Sequence, residues 1–566
     1  MRGGGRKRTA PRRSGWSLLW MAVLIFAVLG YVLIPMFHTL REAVSVTEKD
    51  PDALSAFRTV FTNPNHLRVT ANTILLGVLS VVTCAVLGIS FALYMTFVKV
   101  RFKRLVHILL LSPMMIPGVI ITIAFIQLYG ESGILTKAVQ RLLGLSRVPW
   151  NFSGLSGILF VVTFTQYVYF YLNVYVALRY VDYSAIEAAR CMGAGRFRIF
   201  RDVIWPGILP ACLTSATVTF ASGISSFSAP NLIGGGFKVL STQIVRSKAN
   251  NNLKLASAQV TVLFVIGVSA MLLIRLPGGK ITAPADARSV PIRPSEGGKS
   301  AGAVCGRLLT AVQLLLVLLP SAAIIYLSFN STPSIMKDLF PHDLTLENYM
   351  AIAAKPRVLK PVLNSLKMSA QAVGMALLIA VPSAAVFRKY KGKDLTVLRL
   401  CLMLPWIMPA SVSAINLINA FSRRSVFAFG HALIGTYWMV PVAYTVTSVP
   451  LLLSSCEVAF EGISDHLEEA SASLGAGPWH TFVHALLPNV APGVMAGAVL
   501  VFIRLIGEYT MSALLYGVYN RPISISMVTC MQEFRIGVSM AYGVIVMAVC
   551  SVALAVIFRL DRKRFM

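Results

Sequence analysis

Charge is what this chain has least of. Of its 566 residues only 13% are Asp, Glu, Lys or Arg, about half the share of an ordinary soluble domain. With 56% apolar residues and a mean hydropathy of +0.73, that shortage excludes a disordered, collagen-like or coiled-coil chain and a water-soluble enzyme. A polytopic membrane protein is what remains. Acidic side chains are scarcer still: 22 Asp and Glu stand against 51 Lys and Arg, a net charge of +29. In a soluble protein this excess would point to nucleic acid. Here it is what cytoplasmic loops collect, and no nucleic-acid partner is expected. The eight cysteines are scattered, without a C-x-x-C pair or metal-ligand spacing, and most lie in apolar runs where thiols behave as small hydrophobes. A G-x-x-x-x-G-K-[ST] phosphate loop is missing; Gly234-Gly235-Gly236-Phe237-Lys238 lacks its spacing. Neither a nucleophile–base constellation nor a metal motif appears. No catalytic residue, bound metal or cofactor of the chain's own is therefore expected.

Long uncharged runs take the place of those features. A helix needs about 20 apolar residues to cross the hydrocarbon core. Intervals free of Asp, Glu, Lys and Arg lie between Arg13 and Arg41, Arg68 and Lys99, Arg104 and Glu131, Arg147 and Arg179, Asp202 and Lys238, and Lys254 and Arg275. A second set lies between Arg307 and Lys337, Lys367 and Arg388, Arg399 and Arg423, Arg424 and Glu457, and Arg535 and Arg559. One more run, from Pro492 to Leu515, is interrupted only by Arg504 and Glu508. This pattern predicts twelve spans in two sets of six.

The cations Arg2 to Arg13 precede an apolar run too long for a signal peptide, so the first span reads as an uncleaved anchor with its N-terminus inside. Twelve spans return the C-terminus inside, where Arg559, Arg562, Lys563 and Arg564 agree. The loops Lys99–Arg104 and Arg388–Lys393 also fall inside. Lys238, Arg246, Lys248 and Lys254 fall outside, against the rule. Residues 277–306, rich in Pro, Gly, Ser and charge, read as a flexible cytoplasmic linker between halves 1–276 and 307–566.

The halves repeat. Asn72-Thr73 opens the second span and Asn364-Ser365 the eighth, and Pro113 and Pro117 return as Pro405 and Pro409, all at an offset of 292. Further on the offset becomes 282, which places a shortening in the external loop between. Two six-span halves of one orientation imply a parallel repeat about an axis along the membrane normal.

One cytoplasmic loop per half carries a shared pattern over residues 187–206 and 469–488. Glu187-Ala188-Ala189 leads to Gly193 and then Pro206; Glu469-Ala470-Ser471 leads to Gly475 and then Pro488. Phe197 aligns with Trp479, and Phe200 with Phe482. Glu-Ala begins a short surface helix with a smooth face, glycine ends it in a sharp turn, and a second amphipathic helix with aromatics follows. The proline then admits the chain to the bilayer. An ordinary amphipathic loop helix would account for one copy; two copies in one register point to a docking element.

On these residues the chain resembles the inner-membrane permeases of binding-protein-dependent ABC importers, whose "EAA" signature reads E-A-A-x3-G-x9-I-x-L-P. The resemblance runs through both halves. Departures are Ser471 for the second alanine, Trp205 for leucine and Ala485 for isoleucine; Ser471 is expected to loosen packing against a partner. The resemblance implies an all-α fold of the type I importer kind, a multi-pass protein of the bacterial cytoplasmic (inner) membrane. It further implies that Glu187, Ala188, Ala189, Gly193 and Phe197, with Glu469, Ala470, Gly475 and Trp479, dock two copies of a separate ATPase subunit. ATP and Mg would then sit on that partner, and an external periplasmic or lipid-anchored binding protein would deliver the solute.

A fused permease with an Asn-Thr/Ser start to each core most resembles the ferric-iron group. Thiamine, aminoethylphosphonate, polyamine and sulfate permeases are alternatives. Secondary transporters also pair two parallel halves, but have no use for duplicated docking loops. Tyr167, Tyr169, Tyr171 and Tyr175 read as interfacial belt and packing rather than as ligands to a hard cation. Arg504 and Glu508, one helical turn apart, form either a self-neutralised pair or part of the translocation path, with Ser222 and Ser226 at the equivalent places of the first half.

Overall fold

The computed structural model describes residues 15–46, 51–275, 292, 301–390, 392–464 and 466–562. Among them eleven helices are long and apolar enough to cross a membrane, and a bent pair, Lys393–Ile407 with Ala410–Phe421, makes a twelfth. Strand pairing among the described residues is limited to two isolated bridges. The cations from Arg2 to Arg13, nearly all of 277–300, and Lys563 and Arg564 lie outside the described residues. The end of the expected linker, Ala301–Gly306, already belongs to the helix Ala301–Ser328.

The repeated prolines break the third span of each half at one register. Lys103–Leu111 and a tight turn end before Gly118–Tyr129, and Lys393–Ile407 ends before Ala410–Phe421 at a bend of 112°. The cause is local: a residue before proline is driven out of the helical region. Ile116 and Met408 accordingly have ψ of 123° and 128°. The shortening between the halves falls where expected. The first half has the helix Ile134–Leu142 in the connection after its third span, and the second has a tight loop with Ser425 bridged to His431.

At other prolines the chain keeps its helix by widening it. A π-type turn at Phe200–Ile204 precedes Pro206, another at Thr481–Leu486 precedes Pro488, and a third at Leu29–Leu33 precedes Pro35. Such a turn absorbs the missing amide and the ring's clash with the preceding turn. The expected separate second surface helix of each loop is therefore corrected. It is the first part of one long helix, Arg196–Ser225 or Pro478–Ile506.

The chain forms two compact units. One comprises Met1–Glu42, Lys360–Pro522 and Ala548–Met566, the other Ala43–Leu359 and Ile523–Met547. They cut across the sequence repeat, because the opening span of each half is built into the unit formed mainly by the other half. In the former unit Phe427 seats on Gly30, where an added Cβ would lie 2.2 Å from its ring. Tyr31 Oη donates to the Phe427 carbonyl at 2.7 Å, and Asn419 Nδ2 to Thr39 Oγ1 at 3.1 Å. In the latter, Val317 of the seventh span joins a core of Phe91, Met95, Tyr167, Tyr171 and Val174. Gly88 lets the second span press on the fourth, since a Cβ there would meet Phe170 and the Tyr167 carbonyl at 2.5 and 2.6 Å. Small residues perform this service where hydrocarbon offers no hydrophobic drive. The buried Tyr167 donates to the Leu110 carbonyl and Tyr171 bonds His107, as packing tyrosines should.

Candidate functional site

Each signature loop folds as a helical hairpin with the same skeleton. In the first half the helix Tyr183–Cys191 is capped by Asp182, whose carboxylate accepts from the Ser184 amide at 3.1 Å. In the second half Ser464, at the equivalent position, accepts from the His466 amide at 3.3 Å ahead of His466–Ser473. These caps set the helix starts. Glu187 is thus the fifth residue of its helix and Glu469 the fourth, and the expectation that Glu-Ala opens the helix is corrected.

The turn is as expected. Gly193 and Gly475 have φ of +78° and +81°, and an added Cβ would find nothing within 4 Å at either. Glycine is required there by backbone conformation, not by crowding. The amide of Ala194 bonds the Ala189 carbonyl at 3.0 Å and that of Ala476 the Ser471 carbonyl at 3.1 Å, which closes the helix end around a left-handed residue. Glu187, Ala188, Glu469 and Ala470 are exposed on the two helices, while Ala189 is buried. Phe197 and Trp479 are 76% and 61% exposed. Phe482 turns inward.

The skeleton is shared; the fasteners are not. Ala189 and Ile199 are apolar and buried in the first hairpin. Their equivalents Ser471 and Thr481 bond each other through their hydroxyls at 2.8 Å. Ser471 therefore ties the hairpin together from within. Arg198 pairs with Asp202 at 3.6 Å in the first hairpin, whereas His480 and His484 stack with ring centroids 4.1 Å apart in the second. A cavity of about 460 Å³ opens beside them, lined by Ser471, Leu474, Gly475, His480 and His484 among others. The first hairpin carries Arg190, Arg196, Arg198 and Arg201; the second has no lysine or arginine between Ser464 and Pro488.

Glu508 stands at the break between Leu487–Ile506 and the short helix Thr510–Leu515. Its carboxylate accepts from the amides of Thr510, Met511 and Ser512 at 3.0, 2.8 and 3.2 Å. Tyr444 and Ser512 bond each other beside it at 2.6 Å. Arg504 is exposed. The carboxylate is thus engaged with backbone amides, a role the spacing of the two charges did not suggest. At the equivalent break Ser226 offers its carbonyl to Ser241 at 2.6 Å, and Ser228–Ile233 has no side-chain cap. Ser222 is half-buried one turn earlier.

Two asparagines missed as structural devices complete the repeat. Asn72 Nδ2 donates to the Lys238 carbonyl at 3.0 Å and Asn364 Nδ2 to that of Arg521 at 3.1 Å. Each ties the start of a span to a distant connecting segment; the recurrence of Asn at an offset of 292 was the available signal. The helix Leu240–Ala249 in the basic loop is held this way, and burial pushes its Lys248 ammonium below the usual lysine range.

Comparison with known proteins matches this architecture. The family described as binding-protein-dependent transport system inner membrane component matches residues 84–278 and again 372–565. A probable ABC transporter permease protein of Sinorhizobium fredii is 31% identical over 96% of both chains. A putative ferric transport system permease protein of Haemophilus influenzae is 24% identical over 88% of this chain and 77% of its own. A molybdenum transport system permease protein of Mycobacterium bovis is 32% identical over 28% of this chain and 63% of its own.

Proposed function

The chain belongs to the family of binding-protein-dependent inner membrane transport components, as a fused two-half ABC importer permease, and from that premise we propose how it works and what it carries. Its two hairpins dock two copies of an ATP-hydrolysing subunit, which supplies ATP and Mg chemistry that this chain does not perform. Its spans conduct a solute handed over by an external binding protein, and that solute is ferric iron. The protein sits in the bacterial inner membrane with both termini in the cytoplasm.

The observation that carries the docking assignment is the duplicated hairpin. Two unrelated surface loops have no reason to share a left-handed glycine, a cap and an exposed aromatic at one offset. Ferric iron is favoured because the relatives named for ferric transport align along 88% and 85% of this chain, while those named for molybdenum and sulfate align along 28%. The latter favour an oxyanion as the second reading. Within the spans we assign Glu508, with Arg504, Ser222 and Ser226, to the path.

The test is reconstitution of the chain in vesicles with its ATPase and binding protein. The expected result is ATP-dependent uptake of ferric iron, with hydrolysis stimulated by the iron-loaded binding protein and by neither molybdate nor sulfate. Stimulation by an oxyanion alone would overturn the substrate. Uptake without ATP would overturn the docking role.

A further inference from the structure

We propose that Arg388, Lys389 and Glu468 form a clasp that joins the second hairpin to the cytoplasmic end of the eighth span, making them positioning residues for coupling; this rests on the docking role proposed above. Glu468 precedes the signature Glu469 in His466–Ser473 but faces the other way in its chemistry. Its carboxylate oxygens lie 3.6 Å from Arg388 Nη1 and 3.6 Å from Lys389 Nζ, and Arg388 Nη2 donates to the Ile463 carbonyl at 2.9 Å. The side chains of Glu468 and Arg388 are only 26% and 16% exposed, against 67% for Glu469. Glu468 is therefore turned into the protein, while Glu469 stays at the surface, 3.3 Å from His466 Nδ1. Arg388 and Lys389 end the helix Pro356–Lys389, so a pull on the hairpin is delivered straight to a membrane-spanning helix.

The chain's own duplication supplies an independent observation. The residue equivalent to Glu468 is Ile186, and the residues equivalent to Arg388 and Lys389 are Thr96 and Phe97. Ile186 is 1% exposed and belongs to a core against which Phe97 packs. Where the second half has an acid facing two cations, the first has Ile186, Thr96 and Phe97, with no charge on either side. A charge changed on one side alone would be left in a half-buried site without its counter-charge, which is costly. The second hairpin is thus held by a contact that charge substitutions break and charge exchange restores, and the first is not.

The experiment measures solute transported per ATP hydrolysed in the reconstituted complex of full chain, ATPase and binding protein. In Glu468→Gln the ATPase remains bound and active while this ratio falls about three- to tenfold, the range of close pairwise couplings. The exchanged pair Arg388→Glu with Glu468→Arg recovers most of the loss, and backbone hydrogen exchange over 466–473 rises in the single variant but not in the exchanged pair. A merely structural role would lower yield without moving the ratio. An unchanged ratio in Glu468→Gln, or no recovery in the exchanged pair, overturns the clasp. Should Glu468→Gln express poorly, Lys389→Gln, on the more exposed partner, makes the same test with the same reading. Failure of the wild-type chain to bind an ATPase overturns the docking role itself, and is distinguished because no variant is involved.

Discussion

Gly193 and Gly475 concentrate the hairpin geometry in one dihedral each. A residue with a Cβ costs about 1–2 kcal/mol in the left-handed region, and a β-branched one more. Open space surrounds both positions, so the whole penalty falls on the hairpin's shape. Gly193→Val and Gly475→Val should insert and express as wild type yet lose most ATPase binding and uptake, measured by co-purification and vesicle transport. Wild-type binding by both variants would remove the turn from the account. At Glu508 the three accepted amides matter. Leaving them without acceptors costs about 1–3 kcal/mol, so Glu508→Ala should lower the melting temperature more than Glu508→Gln, which keeps one oxygen. If Glu508 also serves the path, the double variant Arg504→Gln with Glu508→Gln expresses normally, hydrolyses ATP and transports poorly; recovered transport would withdraw it from the path. The turn glycines were legible in sequence because only conformation demands them. The capping by Glu508 was not, because two charges four residues apart invite an ion pair and give no sign of a helix break between them.

The hairpins show one backbone fastened by two chemistries. Ser471→Ala alone would strand the largely buried hydroxyl of Thr481 and cost about 1 kcal/mol. Adding Thr481→Ile copies the Ala189 and Ile199 pair of the first hairpin and should restore the melting temperature of the purified chain to near wild type. A double variant no better than the single would show that the two pairs are not interchangeable. At this scale the spans were readable because hydrocarbon forbids charge, and the charge-free intervals mark them. Helix starts and continuations were not. Asp182 and Ser464 move the starts ahead of the signature, and the π-type turns before Pro206 and Pro488 carry a helix through prolines that ordinarily stop one. The broken third spans lie between: Pro117 and Pro409 announce a disturbance, but the break at each, a 112° bend in the second half, depends on the residue before the proline.

Across the whole molecule, the repeat in sequence and the compact units in space are different partitions of one chain. Uncharged runs and offsets reveal the duplication, yet they carry no information about which neighbour an apolar helix will choose. The first span's choice rests on Gly30 admitting Phe427, a complementarity invisible until both are placed. On the proposed docking role, the duplication sets the stoichiometry of partners: two hairpins of one skeleton would offer two docking places, and their unequal charge would require one partner surface to accept both an arginine-rich and an arginine-free face. The most direct measurement is the mass of the complex purified intact with its ATPase. The account predicts one 61.4 kDa chain with two ATPase copies, falling to one when either Gly193 or Gly475 alone is replaced by valine. A complex with one copy, or with none, in the wild-type protein would contradict it.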